Sequence, residues 1–482
     1  MSNINFLSIQ ETHKLFKERQ LTVKELVLSY LSRINRFDKC PNGLNSVLEI
    51  NPDVIFIADI FDKKLKNGDE LLPVFGIPIL LKDNINTKDR LRTSAGSVAL
   101  SDNYAPYDAH IVTLLRQAGA IILGKANMTE FANYMTRENM PSGYSSRGGQ
   151  VKNPYDNKKS PSGSSSGSAV AVAAGLCSVS IGTETSGSIL APAGVNGIVG
   201  LKPTLGLVGR SGIIPISSTH DTAGPITRNV RDAALLLGVI AGVDPNDSAT
   251  HVHNFFDTND YLKNLGSADL KGVRIGINRS QKLDNFALNE EEKSIFNNLC
   301  QIISNAGAVL IDNVNIDSNF NIGKIMRNEF KTCINYYLST LNGKTKMKSL
   351  KDIVDYNQAN ASIALKYGQS ILLDTENNTS GTMTETEYIE ALLERERTIT
   401  ELDKLFLDNN IDVMLCEVFT NIAPFTGFPS MTVPIGQQQD KIPIGSHWIA
   451  RRYNESVLLK VIYAVEQLIS VKIKLELKEM NI

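Results

Sequence analysis

The segment Pro161-Ser-Gly-Ser-Ser-Ser-Gly-Ser-Ala-Val-Ala-Val-Ala-Ala-Gly-Leu-Cys-Ser-Val-Ser-Ile-Gly-Thr-Glu-Thr-Ser-Gly-Ser188 reads as loop, helix, strand and loop in 28 residues. Residues 161–168 are glycine and serine with one proline, a composition that favours turns. Ser168–Ala174 is a run of small residues suited to a helix packed closely on its neighbours. Cys177–Ile181 is a short apolar run suited to a buried strand. A second glycine-rich loop, 182–188, follows at once. A linker is rarely followed by such an Ala/Val run, so the first loop belongs to a folded unit.

The same alternation extends outward over residues 70–240. Val74–Leu81, Ala120–Leu123 and Ile198–Leu201 are strand-like, and Ala109–Ala118 and Arg231–Ala241 are helix-like. Strands alternating with helices predict an α/β fold: a mixed central β-sheet sandwiched between layers of α-helices. Upstream, Ser8 with Glu11 and Thr22 with Glu25 have capping-box spacing and predict two helices within residues 8–36. The second carries Leu26, Tyr30, Ile34 and Phe37 as one apolar stripe. Downstream, residues 242–272 read as a connector, Val273–Ile277 and Ala308–Ile311 as strands around a helix near 290–306, and 320–410 as mostly helical with loops at 341–349 and 374–383. Asp412–Leu415 and Met431–Val433 read as late strands and Glu455–Leu468 as a closing helix.

The chain has 482 residues, 42% hydrophobic and 21% charged, with a net charge of −2. That is ordinary for a globular protein with a sizeable core. The charge is near zero and its basic residues are scattered, so no nucleic-acid partner and no anionic membrane surface is expected. The five cysteines, Cys40, Cys177, Cys300, Cys333 and Cys416, show neither metal-knuckle nor redox spacing. Reduced thiols and a cytoplasmic location are the expectation. The N-terminus lacks a basic start followed by an apolar stretch, and the longest apolar run, Ala169 to Ile181, is too short to span a bilayer.

Three positions carry candidate chemistry. Lys82 ends the apolar run Val74-Phe-Gly-Ile-Pro-Ile-Leu-Leu81. A lysine at a buried strand end is costly unless paired or neutral; desolvation weakens its hold on its proton, and a neutral amine is a usable base. The alternative is a lysine reaching solvent with Asp83 as its ion-pair partner. Ser164 lies in the first Gly/Ser loop, before a helix start whose N–H groups can hold an anion. Ser188 ends the second loop, where Gly182 and Gly187 permit a tight turn with exposed N–H groups suited to an oxyanion. Each loop alone could be a plain turn; two loops and a strand-end lysine together argue for a site. Gly163-Ser-Ser165-Ser-Gly167 also matches the nucleophile elbow of α/β-hydrolase esterases, with Ser165 as nucleophile, but the residues before it are polar and include a proline instead of forming a strand. Gly119–Lys125 has phosphate-loop spacing, yet its interior is apolar and Ala126 stands where Ser or Thr is required. His251 and His253 lie in a polar connector with no third ligand in view.

A series of ordered segments resembles the amidase signature family. They are Gly76-Ile-Pro-Ile-Leu-Leu-Lys-Asp-Asn84, Gly124-Lys-Ala-Asn-Met-Thr-Glu-Phe131, the loop around Ser164, Gly182–Ala193, Val199-Gly-Leu-Lys-Pro-Thr-Leu-Gly206, Arg210-Ser-Gly-Ile-Ile-Pro215 and Asp221-Thr-Ala-Gly-Pro225. Ser142–Gln150, Ser211–Ser217, Asn328–Lys331 and Tyr367–Gln369 are most similar to the peptide amidase branch. Members that supply ammonia for tRNA-linked amidation usually carry Gly-Gly before the nucleophile and Arg two residues after it; here Ser186-Gly187 and Leu190 stand in those places.

The resemblance implies one amidase domain over 1–482, with N-terminal helices in 1–69, the catalytic core in 70–240, and substrate-funnel helices with the remaining sheet in 241–482. It implies an amide hydrolase acting on a small-molecule or peptide amide, through Ser188 as nucleophile, Ser164 as relay on a cis peptide bond and Lys82 as base. The oxyanion would lie against the N–H groups of Thr185, Ser186, Gly187 and Ser188. No metal or cofactor is implied. The segment Leu415-Cys-Glu-Val-Phe-Thr420 departs from the alanine-proline-threonine turn common in the family, in a region that tends to line the funnel. The remaining alternatives are an amidotransferase component using glutamine and a partner protein, an esterase using Ser165, and a binder with a degenerate site.

Overall fold

A computed structural model describes residues 4–255, 261–266, 269–279, 288–316, 320–469 and 473–477. Among them, eleven strands form one mixed sheet: β1 (Val47–Ile50), β2 (Pro78–Lys82), β3 (Ile121–Ala126), β4 (Val179–Glu184), β5 (Val199–Lys202), β6 (Thr222–Thr227), β7 (Arg274–Asn278), β8 (Val309–Ile311), β9 (Val413–Cys416), β10 (Ser430–Thr432) and β11 (His447–Ala450). Their spatial order is β1-β3-β2-β4-β6-β5-β10-β11-β9-β7-β8. β2 runs parallel to β3 and β4, β7 parallel to β8 and β9, and the pairs between these two groups are antiparallel.

β2 is buried along its whole length, as expected for a strand covered on both faces. Its side chains alternate. Ile79 and Leu81 join the core beneath the helices Val230–Ile240 and Glu455–Ile469, whereas Leu80 joins the opposite core with Ala169 and Val172 of the helix Ser166–Ala173. Lys82 follows Leu80 by two residues and shares its face, and Asp83 belongs to the other. That parity decides which neighbours each can reach.

The N-terminal capping boxes at Ser8/Glu11 and Thr22/Glu25 are both formed, and Leu26, Tyr30 and Ile34 are buried along the expected stripe. Other elements differ from expectation. The strand expected from Val74 starts at Pro78, because Gly76 adopts φ +69° and turns the chain first. The loop expected over 374–383 begins later, since the helix Ser370–Asn378 runs into it. β6 contains Gly224 and Pro225 and carries no strand signature; a Cβ at Gly224 would stand 2.1 Å from the Leu201 carbonyl oxygen on the adjacent strand. The helix Val54–Asn67 carries no clear signal either, because Phe56 and Ile60 face solvent and blur its apolar stripe.

Candidate active site

Lys82 is fully buried at the C-terminal end of β2. Its Nζ lies 2.8 Å from Ser164 Oγ and donates to the Thr183 carbonyl at 3.0 Å. Burial pushes its pKa down to about 7 against the pull of the Asp221 and Glu184 carboxylates, the direction desolvation imposes on an amine. Asp83 is not its partner. That carboxylate turns to the other face, accepting the N–H groups of Ser94 and Gly96 and facing Arg147 at 3.4 Å.

Ser164 is held from several directions. Its peptide bond to Gly163 is cis, and its carbonyl accepts the Thr129 N–H at 3.1 Å. Gly167 approaches so closely that a Cβ would lie 2.3 Å from the Asn127 and Ser46 carbonyl oxygens. This accounts for glycine in the loop: the first turn of the helix Ser166–Ala173 is pressed against backbone, where any side chain would clash. The helix is buried throughout, which its small residues permit. Ser165, the elbow alternative, is also buried. Its Oγ donates to the Thr183 carbonyl at 3.1 Å and accepts the Thr183 N–H at 3.3 Å, and residues 151–164 leading into it form no strand. That geometry fastens the loop to β4.

Ser188 sits beside Ser164 through the backbone: the Ser165 N–H donates to the Ser188 carbonyl at 3.2 Å. Among the described residues the Ser188 hydroxyl makes no hydrogen bond, and the residue keeps 8% of its surface exposed. The N–H groups of Thr185, Ser186 and Ser188 have no protein acceptor among the described residues, and the Gly187 N–H faces the Glu184 carboxylate. The Gly187 carbonyl accepts the Ala191 N–H at 2.9 Å, and side chains around the loop add further hydrogen bonds. Glu184 Oε2 accepts the N–H groups of Ile189 (2.7 Å) and Leu190 (3.1 Å) at the start of the helix Leu190–Val195. Thr185 Oγ1 donates to Asp221 Oδ1 at 2.5 Å, and Ser186 Oγ donates to Asn421 Oδ1 at 3.0 Å. Gly187 has φ +80°, and a Cβ there would stand 2.6 Å from Phe419 Cζ.

A cavity of about 580 Å³ adjoins the loop; its wall includes Thr183, Thr185, Ile214, Ile216, Asp221 and Tyr337. That size suits a small organic ligand, about 300–1,000 Å³. The charged groups in its wall are engaged: Arg210 pairs with Asp247, Asp108 pairs with Arg116, and Asp221 accepts the Ile216 and Ser217 N–H groups. Among the described residues no cluster of three or more His, Cys, Asp or Glu is arranged to hold a metal ion. The segment 119–125 is strand β3 and the turn before it, and Lys125 is buried against Thr93 Oγ1 at 2.8 Å. His251 lies in the 3-10 segment Ser248–Phe255, and the His253 side chain lies outside the described residues. Sequence reasoning missed Phe419 and Asn421 as neighbours of the loop. They lie more than 230 residues from it and carry no local motif.

The Amidase family model matches residues 25–459. A probable amidase of Arabidopsis thaliana is 38% identical, covering 96% of this chain and 90% of that protein. A glutamyl-tRNA(Gln) amidotransferase component of Alkaliphilus metalliredigens is 32% identical over 96% of each. The solved structure of the native peptide amidase from Stenotrophomonas maltophilia superposes with a TM-score of 0.91 at 36% identity, covering 98% of each chain.

Proposed function

The chain belongs to the amidase signature family and is an amide-hydrolysing enzyme, and we propose that it cleaves the terminal carboxamide of an uncharged, peptide-like substrate through a Ser188 acyl-enzyme. The observation that carries this reading is the 2.8 Å approach of the buried Lys82 amine to Ser164 Oγ, beside a loop in which the N–H groups of Thr185, Ser186 and Ser188 have no protein acceptor among the described residues. Neutral Lys82 takes the Ser164 proton as Ser164 takes the proton of Ser188. Ser188 Oγ bonds to the carbonyl carbon, and the carbonyl electron pair moves onto oxygen, where the N–H groups of residues 185–188 stabilise it. The C–N bond then breaks. Lys82 returns its proton through Ser164 to the nitrogen, which leaves as ammonia or an amine, and water releases the acyl group by the reverse route. Residues 241–482 contribute part of the cavity wall through Asn246, Asp247, Tyr336 and Tyr337, in keeping with a funnel built on the catalytic core.

Two features favour a peptide-like amide over glutamine. The superposition on a peptide amidase is close over nearly the whole chain. The guanidinium in the cavity wall is already paired with Asp247, so it is not free to receive the α-carboxylate of glutamine, and Leu190 offers no charge. The test is ammonia release from an N-acylated dipeptide amide, with glutamine as the comparison. Release from the peptide amide that stops in Ser188→Ala is the expected result. Turnover of glutamine but not of the peptide amide would overturn the substrate assignment. A fluorophosphonate that leaves Ser188 unlabelled would overturn the serine mechanism.

A further inference from the structure

The oxyanion loop is touched at two successive residues by side chains from one distant turn. Ser186 Oγ donates to Asn421 Oδ1 at 3.0 Å, and the Phe419 ring lies over Gly187, where a Cβ would come within 2.6 Å of Phe419 Cζ. The residue between them, Thr420, is fixed by its N–H donating to His447 Nδ1 at 3.3 Å, and Phe419 stacks on the His447 ring at 5.0 Å with 13° between planes. His447 belongs to β11, in register with Cys416 of β9. The turn is therefore anchored to two central strands before it reaches the loop.

We infer that Phe419 and Asn421 are positioning residues that clamp the 185–188 loop and hold its N–H groups in the orientation the oxyanion requires. This rests on the reading of Ser188 as nucleophile. The remaining restraints act elsewhere: Thr185 is held by Asp221, and residues 189 and 190 by Glu184. At the centre of the loop the Gly187 carbonyl accepts the Ala191 N–H at 2.9 Å and its N–H faces the Glu184 carboxylate, which leaves the Ser186 side chain and the open face of Gly187 to the turn. Gly187 has a positive φ and no side chain of its own, so beyond those two backbone contacts its conformation depends on what packs against it. The hydrogen bond fixes the unit before Gly187, and the aromatic ring blocks rotation at Gly187 itself. An oxyanion donor is effective only when aimed before the reaction begins; a displacement of about 1 Å in such a group can cost on the order of 10²-fold in rate. The clamp is specific to this sequence pattern, since it needs a hydroxyl at 186 and an aromatic residue within the divergent Leu415–Thr420 segment.

The test compares Asn421→Ala, Ser186→Ala and Phe419→Leu with the unaltered enzyme. It uses hydrolysis of an N-acylated dipeptide amide and the second-order rate of Ser188 phosphonylation by a fluorophosphonate, whose tetrahedral adduct places an oxygen in the same hole. Each variant should lose about 10-fold to 10²-fold in kcat with KM changed less than about 2-fold, the pattern of an interaction made only in the transition state. Phosphonylation should slow in parallel. Asn421→Ala combined with Ser186→Ala should be no slower than the worse single variant, because both remove one hydrogen bond. Ser186→Ala removes a single oxygen atom and keeps the variant set informative should Phe419→Leu fold poorly. Wild-type kcat per labelled Ser188 in Ser186→Ala and Asn421→Ala would overturn the clamp while leaving the nucleophile intact. An unaltered enzyme that is never labelled at Ser188 would overturn the reading of the site itself.

Discussion

Lys82 Nζ and Ser164 Oγ stand 2.8 Å apart, inside the protein, with no carboxylate in contact with the amine among the described residues. The Thr183 carbonyl takes one N–H of the amine, which leaves its lone pair for the Ser164 hydroxyl when the amine is neutral. The depressed pKa and the geometry therefore act in one direction: burial removes the proton that would occupy that lone pair.

Activity should accordingly rise with pH through about 7, the value to which burial brings Lys82. Below that pH the amine is protonated and cannot accept from Ser164; above it the base is free. The measurement is kcat/KM against pH, which reports groups of the free enzyme. Lys82→Ala should lower the rate by about 10²–10⁴-fold, the range of a general base, and abolish this ascending limb. A rate that falls as pH rises through neutrality would remove lysine from the mechanism.

The same burial has a cost in stability. Lys82 binds its proton less tightly in the folded protein than in the unfolded chain, so between about 7 and 10.5 the unfolded state holds the extra proton. Stability contributed at this position then increases with pH across that window, and the full penalty stands below it. Lys82→Met fills a similar space without the charge and should raise stability at pH 6 by roughly 1–4 kcal/mol, the gain seen when buried charges are replaced by apolar groups. The gain should shrink as pH climbs toward 10. Thermal unfolding of both proteins at pH 6, 8 and 9.5 checks the sign; a gain that grew with pH would contradict it.

The parts of this site read from sequence are those in which composition and period carry the information. Lys82 closes an apolar run, and the period of two along β2 places it with Leu80 and apart from Asp83, although the run itself does not reveal that Asp83 turns to Ser94, Gly96 and Arg147. The glycines of the two serine loops mark places where backbone meets backbone, as the 2.3 Å approach at Gly167 makes plain. The parts that stay hidden depend on long-range pairing. β6 is illegible because its Gly224 answers to the Leu201 carbonyl on a neighbouring strand, a demand no local propensity records. Phe419 and Asn421 reach the loop only because β9 and β11 pair across the sheet, and their segment stands out in the sequence only as a departure from its relatives.

Ser165 and Ser188 should respond very differently to removal of a hydroxyl. Ser165 Oγ is bound to both the N–H and the carbonyl of Thr183; Ser165→Ala deprives the buried N–H of that acceptor, while the carbonyl keeps the Lys82 amine. The expected effect is on stability, about 1–3 kcal/mol, with activity within about 10-fold of the original. Ser188→Ala should lose about 10⁴-fold or more, as removal of a nucleophile does, with stability nearly unchanged because its hydroxyl has no hydrogen bond to lose among the described residues. Paired measurements of melting temperature and kcat separate the two. A Ser165→Ala variant that is stable but inactive would favour the elbow-type hydrolase.

Glu184 tests whether the loop is held by charge or by its acceptor atoms. One carboxylate oxygen receives the N–H groups of Ile189 and Leu190, and the other has no hydrogen-bond partner among the described residues. The carboxyl pKa is raised by burial and opposed by Lys202, whose own pKa is brought down to about 8 by its burial. Glu184→Gln retains an acceptor for both N–H groups but removes the negative charge near Lys202. Glu184→Ala removes both. The alanine variant should lose stability by about 1–3 kcal/mol for each of the two N–H groups left unpaired, together with the alignment of Ser188. The glutamine variant should keep the loop in place and retain most of its kcat at pH 9, where Lys202 is largely neutral and needs no counter-charge. Without Glu184 the buried Lys202 holds its proton less tightly, with Glu455 its remaining carboxylate neighbour, so at pH 6 the variant should unfold at a lower temperature, relative to the unaltered protein, than at pH 9. Equal losses for glutamine and alanine at both pH values would show that the charge, and not the two accepted N–H groups, holds the loop.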